Sequence, residues 1–226
     1  MKLSVVMPVF NERDTIVEIL NRVRAVGIDK EIIVVDDYST DGTRDLLAQE
    51  AVRGDLRVFY HAQNMGKGAA VRTGLAQVQG DIIVIQDADL EYDPNDYHAL
   101  IQPILAGQTR VVYGSRFLGK RESMLVWHSL GNRFLTTFAN VLYGASLTDM
   151  ETCYKVFTSD VNQRIHLKSP RWGFDPEITA QILKCGERII EVPISYNGRA
   201  FEEGKKISWR DAFVIMWTLF KYRFRD

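Results

Sequence analysis

A chain of 226 residues, 46% hydrophobic and 25% charged, can bury a sizeable core and is too apolar to be disordered. Twenty-eight basic against 29 acidic residues leave a net charge of −1, which excludes a protein that grips nucleic acid over its whole surface. Two cysteines, Cys153 and Cys185, exclude a disulfide scaffold and point to a reducing compartment.

The apolar run from Leu3 to Phe10 is short, is interrupted by Pro8 and has no cleavage signature, so it is not read as a secretory signal. Ala212 to Phe220 falls far short of the ~20 residues that span a bilayer. The expectation is a cytoplasmic chain without a transmembrane helix, with peripheral contact to a membrane face left open. Strands are predicted at Leu3–Met7, Glu31–Val35, Leu56–Tyr60 and Asp81–Ile85, separated by helices at Thr15–Val26, Thr43–Ala51 and Ala69–Val78. Near-continuous apolar strands alternating with helices define an α/β chain with a parallel sheet covered on both faces. Gly27, Gly54 and Gly80 are placed where the helices stop.

Polar residues follow each strand: Asn11-Glu12, Asp36-Asp37, His61 with Asn64, then Asp87-Ala88-Asp89. Parallel sheets bind ligands beyond the carboxyl ends of their strands, so four such loops point to one site. Asp87 and Asp89 bracket one small residue, and in extended chain both side chains face one way, with Glu91 keeping the parity. Hard carboxylate donors suit Mg²⁺ or Mn²⁺ bridged to phosphates. The competing reading is a solvated acidic loop. Gly66-Lys67-Gly68 lacks P-loop spacing, no GxGxxG follows the first strand, and HExxH and GxSxG are missing.

The second half carries a strand at Arg110–Tyr113, a helix at Ser123–Tyr143, a helix at Pro176–Cys185, a strand at Arg188–Ser195 and a helix at Ser208–Arg225. Arg116, Arg133, Arg199, Lys205 and Lys206 recur there, individually ordinary surface charges but together suited to a diphosphate. Trp209, Phe213, Met216, Trp217, Phe220 and Phe224 fall within an arc of ~100° on the last helix, with Ile215, Leu219 and Tyr222 opposite. Such a helix either lies in a membrane interface or docks on the sheet with its remaining aromatics in a dimer contact. Leu130, Phe134, Phe138, Val141 and Leu142 pose the same choice.

The sequence resembles the family 2 glycosyltransferases of the GT-A fold, in the polyprenyl-phosphate (dolichol-phosphate) mannosyltransferase-like branch. The resemblance rests on the blocks at residues 5–12, 34–43 and 86–91, then on Gly114-Ser115-Arg116-Phe117, Asp149 to Lys155 and Arg171 to Glu177. It implies one domain over 1–226, with a nucleotide-sugar half (1–118) and an acceptor half (119–226), built on a single Rossmann-like, mostly parallel sheet flanked by helices. By the same resemblance, Pro8, Phe10, Glu12, Val35, Asp37 and Ala88 line the nucleotide pocket, and Asp87, Asp89 and Glu91 bind Mg²⁺ or Mn²⁺. Arg199 and Lys205 hold the donor diphosphate, while Arg116 and Arg133 receive an acceptor phosphate. Asp89, Arg116, Arg133 and Asp149 form the implied catalytic set, Asp149 as a base or an orienting group, with Asp175 a weaker candidate. Glu91 replaces a common Gln, and Tyr38 stands where the family commonly has Gly. The implied activity is inverting, metal-dependent transfer from a nucleotide sugar (GDP-mannose or a UDP-sugar) to a polyprenyl phosphate. Transfer to a saccharide or other hydroxyl, or nucleotide-sugar binding without catalysis, are the alternatives.

Overall fold

The computed structural model describes residues 1–119, 121–122, 126–171, 173–198 and 209–224. Its first part alternates β1 (Leu3–Val9), α1 (Ile16–Ala25), β2 (Lys30–Asp36), α2 (Thr43–Ala51), β3 (Leu56–Tyr60), α3 (Lys67–Leu75) and β4 (Ile82–Ile85). There follow α4 (Tyr97–Leu105), β5 (Val111–Ser115), β6 (Arg121–Glu122), α5 (Val126–Tyr143), β7 (Lys155–Thr158) and α6 (Ser159–Arg164). The chain continues through α7 (Phe174–Lys184), β8 (Ile189–Pro193), β9 (Tyr196–Asn197) and α8 (Trp209–Phe224).

Seven strands form one sheet in the order β3-β2-β1-β4-β7-β5-β8, and β6 pairs with β9 in a small ribbon. β1 pairs in parallel with β2 and β4, Val5 standing opposite Ile32 and Val84. These strands are apolar along almost their whole length because helices cover both faces. β7 is the exception in direction: it runs antiparallel between β4 and β5, with Val156 opposite both Val84 and Val112. The sequence reading assigns no strand there, and β7 is headed by a lysine, Lys155. Its side chain is fully buried.

Gly80 does not end a helix, since α3 stops at Leu75. A Cβ at Gly80 would lie 2.6 Å from both Lys2 O and Ser4 Oγ, so the chain needs glycine to pass close beside β1. Its amide donates to Ser4 Oγ (2.9 Å) and Glu31 Oε1 (3.0 Å).

The last helix docks on helices rather than on the sheet. Ile215, Leu219 and Tyr222 of α8 form a second, smaller core with Leu135 and Ala139 of α5 and Ala180 of α7. Tyr143 Oη donates to the Leu219 carbonyl at 2.7 Å, closing this seam. Phe213, Trp217, Phe220 and Phe224 therefore point outward, Trp217 64% and Phe224 66% exposed, while Met216 packs against this second core. Leu130, Phe134 and Val141 of α5 are exposed as well. Among the described residues no helix is long and apolar enough to cross a membrane.

Two substitutions separate the faces of α8. Leu219→Ala removes a fully buried side chain and costs about 2–5 kcal/mol in urea unfolding. Phe220→Ala, on the outward face, costs less than about 1 kcal/mol. Equal costs would mean that the helix is rotated.

Candidate active site

The loops after β1, β2 and β4 brace one another through backbone groups. The Asn11 amide donates to Ser39 Oγ (2.9 Å), and Asn11 Oδ1 accepts from the Thr40 amide (2.8 Å). The Thr15 hydroxyl lies 2.9 Å from both Glu12 Oε2 and the Ala88 carbonyl, tying the first loop to the fourth. Asn11 and Tyr38 both adopt left-handed backbone, φ 54° and 69°. Tyr38 thus takes the conformation that the glycine common at this place would favour, at a cost of about 1–2 kcal/mol. Asp36 Oδ1 offsets it by accepting the Tyr38 and Ser39 amides, each at 3.1 Å, and Arg44 lies against the Tyr38 ring.

Pro8 and Val35 are buried where β1 and β2 end, Phe10 is half-buried just beyond, and Ala88 is buried on the fourth loop. Asp37 is 2% exposed and works inward. It accepts from the amides of Met65 (2.8 Å) and Gly66 (2.6 Å), and His61 Nδ1 lies 2.8 Å away. Asp37 thereby fixes the loop that delivers Lys67.

β4 stops at Ile85, so residues 86–91 are not extended and the parity argument does not orient their side chains. Asp87 turns to Lys67, whose Nζ lies 2.7 and 2.9 Å from its two oxygens. Asp89 Oδ1 accepts from the Glu91 amide at 3.1 Å. Glu91 turns away, its Oε2 accepting from Tyr196 Oη at 3.1 Å. The three carboxylates read as one metal set are therefore not gathered, and among the described residues no cluster of three His, Cys, Asp or Glu is poised to hold an ion. Asp87 and Asp89 remain adjacent hard donors at the sheet edge. That donor pair fits an ion whose other ligands come from water and a diphosphate, the usual way Mg²⁺ is held.

Below them lies a set of buried charges. Arg116 embraces Asp149 with Nε and Nη2, each at 2.7 Å, and its amide adds a third bond at 3.0 Å. Both oxygens of Asp149 are engaged and the residue is fully buried, so its geometry is that of an orienting group. Lys155 donates to Asp175 Oδ1 at 2.6 Å, which occupies the weaker base candidate. Glu151 belongs to the same cluster and was not singled out by the sequence reading. Its Oε1 is buried without a hydrogen-bond partner. Burial and the neighbouring Asp175 charge push its carboxyl up to about 8, against the pull of Lys155 and Arg116. Its signal in the sequence is faint, a lone acid between Met150 and Thr152.

Arg133 sits apart from the buried pairs, exposed on α5 with its guanidinium 5.2 Å from the Phe117 ring centre. It lines a surface cavity of about 310 Å³ with Phe117, Leu118, Thr136, Thr137 and Thr148. The cavity adjoins the Arg116–Asp149 pair through Phe117 and Thr148. Arg199, Lys205 and Lys206 lie outside the described residues.

Residues 4–165 match Glycosyl transferase family 2, and the chain belongs to that family. It is a glycosyltransferase. The low-salt glycan biosynthesis hexosyltransferase Agl6 of Haloferax volcanii is 32% identical over 88% of this chain and 49% of its own length. The undecaprenyl-phosphate mannosyltransferase of Micrococcus luteus is 30% identical over 91% of this chain and 87% of its own. The dolichol-phosphate mannosyltransferase of Pyrococcus furiosus is 28% identical over 91% of this chain, which spans 59% of that enzyme. The chain thus covers about half to three-fifths of two of these relatives. Glucosyl-3-phosphoglycerate synthase of Mycobacterium tuberculosis, solved with Mn²⁺, UDP and glucosyl-3-phosphoglycerate, superposes with a TM-score of 0.75 at 20% identity. That alignment covers all of this chain and 81% of the synthase, and it shows a shared GT-A fold.

Glu151 gives the site a pH signature. The folded chain keeps a proton on this carboxyl between about pH 4.5 and 8, where the unfolded chain has lost it, so stability falls as pH rises through that window. Glu151→Gln removes this slope. The variant melts about 10 °C or more above the wild type at pH 8.5 and level with it at pH 4.5. Parallel melting profiles would refute the assignment.

Proposed function

We propose that this glycosyltransferase moves a hexose from a nucleoside diphosphate sugar to a polyprenyl phosphate, with inversion and with help from Mg²⁺ or Mn²⁺. The observation that carries the reading is the cavity beside the Arg116–Asp149 pair. Arg133 and three threonines offer it charge and hydroxyls, and α5 also bears the exposed Leu130, Phe134 and Val141. A phosphate with a long apolar tail needs both features in one place. The named activities of the Micrococcus and Pyrococcus relatives support the acceptor class. The UDP and Mn²⁺ bound to the mycobacterial synthase support the donor and ion classes.

Asp87 and Asp89 would hold the divalent ion, which, when bound, neutralises charge on the departing nucleoside diphosphate. Pro8, Phe10, Glu12, Val35 and Ala88 would bound the nucleotide, with Asp37 holding the loop beneath it. Arg199 and Lys205 are assigned to the diphosphate by resemblance alone. Arg133 binds the acceptor phosphate in the cavity, and Arg116, held rigid by Asp149, adds positive charge from below. A phosphate oxygen is anionic at neutral pH, so it attacks the anomeric carbon without a strong base. That chemistry suits a site whose candidate bases, Asp149 and Asp175, are both locked to cations. Attack from the face opposite the diphosphate inverts that carbon.

The deciding assay offers GDP-mannose, UDP-glucose and UDP-N-acetylglucosamine with Mn²⁺ to undecaprenyl phosphate and to soluble hydroxyl acceptors. One donor is expected to yield a lipid-linked hexose, and Asp89→Ala lowers that turnover about 10²–10³-fold. Transfer to a hydroxyl acceptor only would overturn the lipid reading. A second test uses anionic vesicles. Trp217→Ala with Phe220→Ala weakens binding to them about tenfold or more, each ring being worth roughly 1.5–3 kcal/mol once buried. Undiminished vesicle binding would remove α8 from the lipid surface.

A further inference from the structure

Lys67 is absorbed by none of the roles above, yet its ammonium touches both oxygens of Asp87, one of the two carboxylates assigned to the divalent ion. Its backbone is held firmly. Lys67 is the first residue of α3, and the segment 169–171 lies directly on that helix start. The Ala69 amide donates to the Pro170 carbonyl at 3.1 Å. A Cβ at Gly66 would lie 2.5 Å from Pro170 O, and one at Gly68 would lie 2.3 Å from Ser169 O. Only the four methylenes of the side chain are left to move. The pair is also reachable from solvent, its side chains being 30% and 23% exposed. In the deeper Lys155–Asp175 pair the lysine side chain has no such access.

Taken together, Asp87, Asp89 and Lys67 carry one net negative charge. A divalent ion arriving alone must displace the ammonium from Asp87 and leave it only the more distant Asp175 as counter-charge. A diphosphate arriving with the ion brings new acceptors for that ammonium, so the exchange becomes favourable only when both come together.

We propose that Lys67 is the resident cation of the diphosphate site, a placeholder that yields Asp87 to the divalent ion and transfers to the phosphates, making ion and nucleotide bind cooperatively. This rests on the divalent-ion reading given under the proposed function. Because coupling is reciprocal, the ion tightens the nucleotide by the factor with which the nucleotide tightens the ion.

The test reads Mn²⁺ binding directly, by the loss of the free-ion electron paramagnetic resonance signal, with Mn²⁺ alone and with UDP or GDP added. Wild-type protein binds Mn²⁺ weakly alone and much more tightly with one nucleotide. Lys67→Met binds Mn²⁺ alone about tenfold more tightly than wild type, and the enhancement by nucleotide shrinks by about the same factor. Lys67→Gln, which keeps a hydrogen-bonding group beside Asp87, gives the same tightening should the methionine variant fold poorly. In an Asp87→Asn background the Lys67→Met gain disappears, which places the competition at that carboxylate. Unchanged or weaker Mn²⁺ binding in both Lys67 variants would make the pair a purely structural tie and overturn the proposal. No Mn²⁺ binding to wild type with either nucleotide would instead sink the divalent-ion reading, and the proposal with it.

Discussion

A strand buried on both faces has nowhere to carry charge except at its ends, and this constraint organises the molecule. β1, β2 and β4 are apolar between their termini. The polar residues are therefore confined to the loops beyond, where helix starts and loop amides can hold them. Each loop is then braced by its neighbour: Asn11 against Ser39 and Thr40, Thr15 against Ala88, and Asp37 against Met65 and Gly66. Such bracing sets the nucleotide-facing edge in place before any ligand arrives, which limits the ordering cost of binding.

Besides Arg44–Asp36, this edge carries the cation–carboxylate pairs Arg116–Asp149, Lys155–Asp175 and Lys67–Asp87. Buried pairs rarely add much net stability, because desolvation consumes most of their attraction. Their value here is positional. The two deep pairs hold their guanidinium and ammonium groups in place beneath the site, whereas the shallow one can change partners. Glu151, left without a hydrogen-bond partner for Oε1 among them, has its carboxyl pushed up by burial and by the neighbouring Asp175 charge.

Much of the fold was legible because period and composition agree. The first four strands and the helices between them lie within a few residues of where apolar runs and spacing place them. β7 escaped because it is short, begins with a buried lysine and runs against its neighbours, so the rule of looking after each strand's carboxyl end misses what precedes it. That is also why Glu151 arrives at the site unannounced. The arrangement of Asp87, Asp89 and Glu91 could not be read from spacing, because residues 86–91 leave the strand and Tyr196, far along the chain, draws Glu91 aside. The aromatic stripe of α8 was visible as periodicity, but its direction was not. An amphipathic helix with apolar residues on two sides is oriented only by what it packs against, here Leu135, Ala139 and Ala180.

The placement of β7 bears on how this chain could be recombined with its relatives. The sheet takes β4 from one side of residue 118 and β7 from the other, then returns to β5, so the two halves are interleaved rather than joined end to end. The 169–171 segment adds a second interlock, seated on Gly66 and Gly68 with no room for a side chain. A chimera that exchanges everything after residue 118 must therefore supply a strand that fits between β4 and β5, and a segment shaped to those two glycines. Grafts confined to α5 and α8 face no such matching problem at the sheet, but must fit the face of α7 that carries Glu177 and Ala180.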